Sequence, residues 1–75
     1  MTAIVWSKTT CPFCVRAKEL LEEHNIPYEE RMLGEGWTRE QLLRQVPNAR
    51  TVPQIFIENN YIGGYNELVE HLSSD

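Results

Sequence analysis

The pair of cysteines at Cys11 and Cys14 constrains this chain more than any other feature of its sequence. A chain of 75 residues has room for one small domain, here residues 1–75, and domains of this size often need disulfides or metals for stability. A disulfide between residues three positions apart closes almost no loop, so it removes little entropy from the unfolded chain. These are the only two cysteines, and they must therefore be explained by chemistry rather than by stability.

The hydrophobic pattern around the cysteines predicts a strand, a helix and a second strand. Residues 3–6 are a short apolar run rich in β-branched and aromatic residues, which is typical of a strand buried on both faces. From Pro12 to about Asn25, ahead of Pro27, apolar residues recur with helical spacing. Residues 28–33 alternate weakly with charged residues, which indicates a less buried edge strand. This β-α-β order implies a right-handed parallel unit.

The second half of the chain predicts a helix, a hairpin and a last helix. Thr38 and Gln41 have the spacing of a capping box, with Trp37 and Leu42 placed for a hydrophobic staple, and the helix should end before Pro47. The remaining expected elements are a strand at 53–57, a tight turn at 58–60 with positive φ at its centre, and a strand at 61–62. After Gly63-Gly64 we expect a last short helix, with apolar residues at Tyr65, Leu68, Val69 and Leu72. The predicted order is β-α-β-α-β-β-α, an α/β domain with a four-stranded mixed sheet and three helices.

Charge and cysteine usage limit the classes of partner and compartment. The net charge is −4, the pI is about 5.1, and the sequence has no basic run, which argues against nucleic acid or an anionic membrane as the main partner. The apolar run at 3–6 is far too short for a signal peptide or a membrane span. We therefore expect a cytoplasmic protein whose thiols are mostly reduced. His24 and His71 lack the paired spacing of a zinc site, so no metal is expected.

The position of the cysteines after a strand and at the start of a helix predicts a redox motif of the thioredoxin-like kind. Pro12 suits the first helical position, where its missing N–H costs nothing. The unpaired amides and partial positive charge of the helix end favour a thiolate at Cys11, and Lys8 can add a nearby cation. Cys14 would lie on the inner side of the first turn and be less accessible. We therefore expect Cys11 to be the nucleophile and Cys14 the resolving cysteine.

Three segments make the sequence resemble the glutaredoxins, the small glutathione-dependent members of the thioredoxin-fold superfamily. They are Lys-Thr-Thr-Cys-Pro-Phe-Cys at 8–14, Thr-Val-Pro-Gln-Ile-Phe-Ile at 51–57 and Ile-Gly-Gly-Tyr-Asn-Glu-Leu at 62–68. The resemblance covers nearly the whole chain. It implies a sheet with the first and third strands central, and a cis peptide before Pro53 that sets the backbone of Thr51 and Val52 beside the cysteines.

The resemblance also implies a glutathione site across Cys11. Lys8 and Arg39 would hold the glycyl carboxylate, the Val52 backbone would pair with glutathione like a short strand, and residues 64–67 would take the γ-glutamyl end. A helix start at Asn66 would supply free amides for a carboxylate there. The full implied binding set is Lys8, Phe13, Arg39, Thr51, Val52, Pro53, Gly64, Tyr65, Asn66 and Glu67. Two departures stand out, because many glutaredoxins have Tyr at position 13 and often Asp near the start of the last helix, where Asn66 and Glu67 stand here.

The predicted function is that of a monomeric glutathione-dependent thiol-disulfide oxidoreductase. Its substrates would be protein disulfides and glutathione mixed disulfides, and family resemblance adds ribonucleotide reductase as a partner. One alternative is a glutaredoxin-like electron donor reduced by thioredoxin reductase, against which the glutathione-site residues argue. A second alternative is a carrier in which two chains bridge a [2Fe–2S] cluster through Cys11 and two glutathiones. Pro12 and the second cysteine argue against the carrier.

Overall fold

A computed structural model describes residues 1–73, so Ser74 and Asp75 of the predicted domain lie outside the described residues. Strands and helices follow one another in the predicted order. Their bounds within residues 1–73 are β1 (Ala3–Ser7), α1 (Pro12–Glu23), β2 (Tyr28–Met32), α2 (Arg39–Gln45), β3 (Gln54–Ile57), β4 (Asn60–Gly63) and α3 (Tyr65–Ser73). Among these helices, none has the length and apolar character that crossing a membrane requires.

The strands form one mixed sheet with the order β2-β1-β3-β4. β1 runs parallel to β2 and antiparallel to β3, and β3 runs antiparallel to β4. The two central strands are the apolar ones, and the charged β2 lies at an edge, where one face and one side remain near water. The predicted fold, with the first and third strands central, is therefore confirmed.

Helices cover both faces of the sheet. Successive side chains of β1 point to opposite faces, and the two sets pack in different clusters. Ala3 and Val5 belong to a core cluster that contains residues from α1 and α3. Ile4 and Trp6 belong to a second cluster, on the side of α2. The segments that carry the cysteines and residues 51–53 therefore adjoin a sheet that is covered on both faces.

The start of α2 is held by the capping box that the sequence predicts. The Gln41 N–H donates to Thr38 Oγ1 at 3.2 Å, and the Thr38 N–H donates to Gln41 Oε1 at 2.8 Å. Trp37 and Leu42 pack in the same cluster, as a hydrophobic staple requires, and the Trp37 ring meets the Trp6 ring edge-on at 5.3 Å.

Several element boundaries differ from the sequence prediction by one or two residues, and the differences at the hairpin and at the last helix are the informative ones. The positive φ angles of the hairpin are at Glu58 (51°) and Asn59 (68°), whereas Asn60 pairs with Ile57 and begins β4. A two-residue loop of this kind matches the twist of the strands that it joins, so the turn closes one residue earlier than predicted. The last helix begins at Tyr65 rather than at Asn66, with consequences for the candidate site.

Candidate active site

Cys11 is the N-cap of α1 and Pro12 is its first residue, as the sequence predicts. The Cys14 N–H donates to Cys11 Sγ at 3.2 Å. The two cysteines are joined by a disulfide, with their Cα atoms 5.3 Å apart. Cys14 is 1% exposed and Cys11 9%, so Cys11 is the more accessible of the two. The Cys11 sulfur therefore lies at the positive end of the helix dipole, where a thiolate is favoured.

The loop before β3 brings backbone groups next to Cys11. The Val52 carbonyl oxygen lies 3.8 Å from Cys11 Sγ, and the peptide bond between Val52 and Pro53 is cis, as the resemblance implies. Gln54, a buried polar residue, donates from Nε2 to the Thr51 carbonyl at 2.8 Å and accepts from the Tyr61 hydroxyl at 2.6 Å. Gln54 thus helps to position this loop. Sequence reasoning missed that role, although a glutamine inside an apolar strand is a usable signal.

One cavity of about 320 Å³ brings together eight of the ten residues implied to bind glutathione. Its lining consists of Phe13, Thr51, Val52, Pro53, Gly64, Tyr65, Asn66 and Glu67. We call it the main groove. A larger, shallow cavity of about 630 Å³ lies beside β4 and α3, and the only predicted site residue in its lining is Glu67.

Lys8 and Arg39 line a second, smaller cavity of about 70 Å³, which we call the cationic cavity. It shares Thr51 and Val52 with the main groove, so both cavities border the same stretch of backbone. Arg50 also lines it and was not predicted from the sequence. An exposed arginine outside any recognised spacing gives no signal of its own.

Phe13 and Tyr65 form an aromatic rim on the main groove. Their ring centroids are 5.8 Å apart, and the Arg16 guanidinium lies 5.4 Å from the centroid of the Phe13 ring. Phe13 is half-exposed although it is apolar. Phe13 itself contributes no hydroxyl donor to this rim, so the hydroxyl that these two rings offer is that of Tyr65.

The carboxylate of Glu67 caps the N-terminus of α3. Its Oε1 accepts from the Gly64 N–H at 2.8 Å. Gly63 has φ of 125°, and a Cβ there would lie 2.8 Å from Glu67 Cγ, so this side chain packs where only glycine fits. The Gly64 N–H is therefore already occupied, whereas the expected contact between the first amides of the helix and a carboxylate stays a prediction. Glutamate is long enough to reach back to the Gly64 N–H, as in the second half of a capping box.

The charge of Glu67 also affects its surroundings. Burial raises the pKa of Tyr61, and the negative charge of Glu67 raises it further. Tyr61 therefore stays a neutral hydroxyl and keeps its hydrogen bond to Gln54 at neutral pH. Within residues 1–73, no group of three or more His, Cys, Asp or Glu side chains is arranged to hold a metal ion.

Comparison with known proteins decides the family. The glutaredoxin family model matches residues 3–62. The chain belongs to the glutaredoxin family. As a glutaredoxin with a Cys11–Cys14 pair, it is a glutathione-dependent thiol-disulfide oxidoreductase.

Individual glutaredoxins support the assignment along most of the chain. Glutaredoxin 1 of Rickettsia conorii is 39% identical over 72 residues, which cover 92% of this chain and 70% of that protein. The structure of reduced Escherichia coli glutaredoxin has a TM-score of 0.84 and 32% identity, and the match covers 100% of this chain and 96% of that one. The buckwheat glutaredoxin–glutathione complex has a TM-score of 0.76 and 30% identity, covering 96% of this chain and 69% of that one.

Proposed function

We propose that Cys11 is the nucleophile and Cys14 the resolving cysteine in the reduction of glutathione mixed disulfides and protein disulfides. The observation that carries this proposal is the position of Cys11. Its sulfur caps α1, accepts the Cys14 N–H and lies 3.8 Å from the backbone of Val52, which lines the main groove. Cys14 is within disulfide distance but almost fully buried, so an external disulfide reaches Cys11 first.

With a glutathione mixed disulfide, the Cys11 thiolate attacks the glutathione sulfur. A new disulfide joins Cys11 to glutathione, the old S–S bond breaks, and the substrate leaves with the electron pair as a thiolate. The thiolate of a second glutathione then attacks the sulfur of the bound glutathione, which releases oxidised glutathione and restores the Cys11 thiolate. The sum of the two exchanges consumes one reduced glutathione, which leaves joined to the glutathione taken from the substrate, and Cys14 takes no part.

With a protein disulfide, attack by Cys11 gives a mixed disulfide with one substrate sulfur and releases the other as a thiolate. The Cys14 thiolate then attacks the Cys11 sulfur, which releases the second substrate thiolate and forms the Cys11–Cys14 disulfide. Two glutathiones reduce this disulfide in turn and leave as oxidised glutathione. A low pKa at Cys11 helps chiefly by making it a good leaving group in these exchanges.

The glutathione itself is proposed to occupy both cavities. Lys8 and Arg39 would hold the glycyl carboxylate, Val52 would pair through its backbone, and residues 64–67 would meet the γ-glutamyl end. Two facts support this placement: the implied residues line two cavities that share Thr51 and Val52, and a relative has been solved as a glutathione complex. Charge-assisted hydrogen bonds from Lys8 and Arg39 suit a carboxylate.

We further propose that the chain works as a monomer in the cytoplasm, on disulfide-containing and glutathionylated proteins. The reason is chemical, since the cycle consumes reduced glutathione and runs forward only where reduced glutathione is abundant.

Serine substitutions test the roles of the two cysteines. Cys11→Ser should abolish both activities, because a serine hydroxyl is barely ionised at neutral pH. Cys14→Ser should retain reduction of a small glutathione mixed disulfide and lose most reduction of a protein disulfide. The measurement is NADPH consumption coupled through glutathione reductase, with each substrate in turn. Equal loss of both activities in Cys14→Ser would refute the assignment of roles.

A further inference from the structure

A cavity on the α2 side of the sheet is lined by both tryptophans of the chain. Its volume is about 190 Å³, and its lining consists of Trp6, Arg31, Trp37, Gln41, Arg44 and Gln45. We call it the tryptophan cavity. It shares no lining residue with the main groove or with the cationic cavity, so it is separate from the proposed glutathione site.

Trp6 brings a hydrogen-bond donor without an acceptor to the tryptophan cavity. The residue is 1% exposed, and its buried Nε1–H has no partner within residues 1–73. A buried donor that lacks an acceptor is unfavourable, and native proteins rarely leave one unmet. The fold does not supply the acceptor here, so a bound ligand is the natural source of one.

Arg31 is held in place beside this donor. Its guanidinium lies 4.3 Å from the centroid of the Trp37 ring and 5.1 Å from that of the Trp6 ring. Its Nε–H donates to Glu29 Oε2 at 2.7 Å, which leaves the N–H groups of both Nη atoms without a partner within residues 1–73. A planar guanidinium that is already stacked loses little conformational entropy when it binds an oxyanion. Arg31 is therefore preorganised for such a ligand.

The other polar groups of the tryptophan cavity are mostly donors as well. Gln41 uses its Oε1 to accept the Thr38 N–H, so its amide nitrogen is the end that remains for a ligand. Arg44 is exposed and makes no ion pair within residues 1–73. Within the same range no carboxylate belongs to the lining. Donors thus converge from β1, β2 and α2, and a ligand that meets them must be rich in acceptors.

We infer that the tryptophan cavity binds a phosphate group. A carboxylate accepts hydrogen bonds in one plane, whereas a phosphate group presents three or more oxygens to donors that approach from several elements. Its charge of roughly −2 near neutral pH suits Arg31 and Arg44, whose combined charge Glu29 offsets only in part. The phosphate oxygens accept from these two guanidinium groups, and Trp6 Nε1–H gains the acceptor that the fold does not supply.

Proton NMR of the full chain tests the inference, because both indole N–H groups belong to residues that line the cavity. The probe is inorganic phosphate, with sodium chloride at equal ionic strength as the reference. Trp37→Phe assigns the remaining indole signal to Trp6. That signal should move downfield and saturate with phosphate but not with chloride, because a new hydrogen bond deshields the proton.

The phosphate group can belong to a small molecule or to a phosphorylated protein, and a second titration separates these sources. It uses a short phosphoserine peptide beside its unphosphorylated form. Tighter binding of the phosphopeptide than of inorganic phosphate assigns a phosphoprotein, and equal or weaker binding assigns a small phosphate ester. An equal shift with the unphosphorylated peptide would overturn the inference.

Charge-matched substitutions locate the bound phosphate. Arg31→Gln should weaken binding about tenfold and the exposed Arg44→Gln about two- to fivefold. The control Arg16→Gln changes the net charge equally and removes a guanidinium that lies over another ring, that of Phe13. A second control, Lys8→Gln, alters the cationic cavity. Both controls should weaken binding less than twofold.

Circular dichroism shows whether each variant is folded, and the Arg44→Gln result decides the matter if Arg31→Gln does not fold. The absence of a saturable indole shift, or an equal shift with chloride, would overturn the inference. Weakening by Arg16→Gln as large as that by Arg44→Gln would reduce the effect to net charge. Weakening that large by Lys8→Gln would assign the phosphate to the cationic cavity and would also overturn it.

Discussion

At the scale of single residues, Glu67 is the charged side chain that the γ-glutamyl end of glutathione would meet in the proposed placement. That end carries both an ammonium and a carboxylate. Because Glu67 already occupies the Gly64 N–H, its negative charge repels a second carboxylate at this point and attracts the ammonium. We therefore expect the ammonium, not the carboxylate, to lie nearest Glu67.

The substitution Glu67→Gln tests this orientation. Glutamine keeps an oxygen that can accept the Gly64 N–H, so the start of α3 is preserved while the charge is lost. The KM for glutathione should rise about two- to fivefold, which is the effect of one exposed charge contact. The KM for a glutathione analogue without the amino group should not rise. Glu70→Gln, on the same helix, is the control. An equal rise with both thiols would show that Glu67 does not recognise the ammonium.

The sequence predicts the members of this site better than their contacts. Cys11 is anticipated because a C-x-x-C pair at a helix start has a chemical reason that can be read from spacing. The reach of Glu67 back to Gly64 depends on where α3 begins, and a shift of one residue changes which amides are free. Arg50 lines the cationic cavity because the loop that contains it folds beside α2. No local sequence pattern predicts that Arg50 and α2 lie close together.

At the scale of elements, a small polar network joins the cysteine helix to the sheet edge. Lys18 of α1 donates from Nζ to Glu30 Oε2 of β2 at 2.6 Å, and the buried Ser7 of β1 donates to the same oxygen at 2.8 Å. These bonds hold α1 against the β1–β2 pair. The hydrogen bond from Lys18 lowers the pKa of Glu30, and the one from Ser7 adds to this, against the opposing effect of burial.

This network makes stability depend on pH in acid. The pKa of Glu30 is below its ordinary value of 4.5 in the folded protein. Ionised Glu30 therefore adds its full contribution to the free energy of unfolding above pH 4.5, and this contribution is lost as the pH falls through the lower, folded pKa. Glu30→Gln should cost about 1 kcal/mol of unfolding free energy at pH 7 and much less at pH 3. Urea unfolding at both pH values is the measurement, with Glu19→Gln, an exposed position on α1, as the control. A cost that does not change with pH would contradict the network.

Elements were predicted well where a local signal sets their ends. The capping box at Thr38 and Gln41 is complete within four residues, so the start of α2 is fixed by neighbours in sequence. The hairpin turn is different, since it depends on which residues of β3 and β4 pair. Pairing of Phe56 with Tyr61, whose rings meet at 5.4 Å, puts Glu58 into a left-handed conformation that the two asparagines alone would not predict.

At the scale of the whole molecule, two electrostatic effects act on glutathione in opposite directions. The net charge of −4 repels glutathione, itself a net anion, at long range, whereas in the proposed placement the cationic cavity would attract its glycyl carboxylate at short range. Salt suppresses the long-range repulsion more readily than the short-range attraction. The screening length is about 10 Å at 0.1 M, and the molecule extends over 34 × 22 × 19 Å, so most of its charges lie farther than that from the ligand. Contacts within the cavity are shorter than that length and persist to higher salt.

The salt dependence of the KM for glutathione separates these effects. At about 0.1 M salt the repulsion by the net charge is already screened. Adding more salt then weakens only the attraction by the cationic cavity, so the KM of the unsubstituted protein should rise. Arg39→Glu turns the local attraction into repulsion, so its KM should be higher by several-fold and should fall as salt increases. Arg44→Glu lies on the same helix and also brings the net charge from −4 to −6, yet its KM should rise with salt as in the unsubstituted protein. If the two variants respond alike, net charge rather than the cationic cavity governs the binding of glutathione.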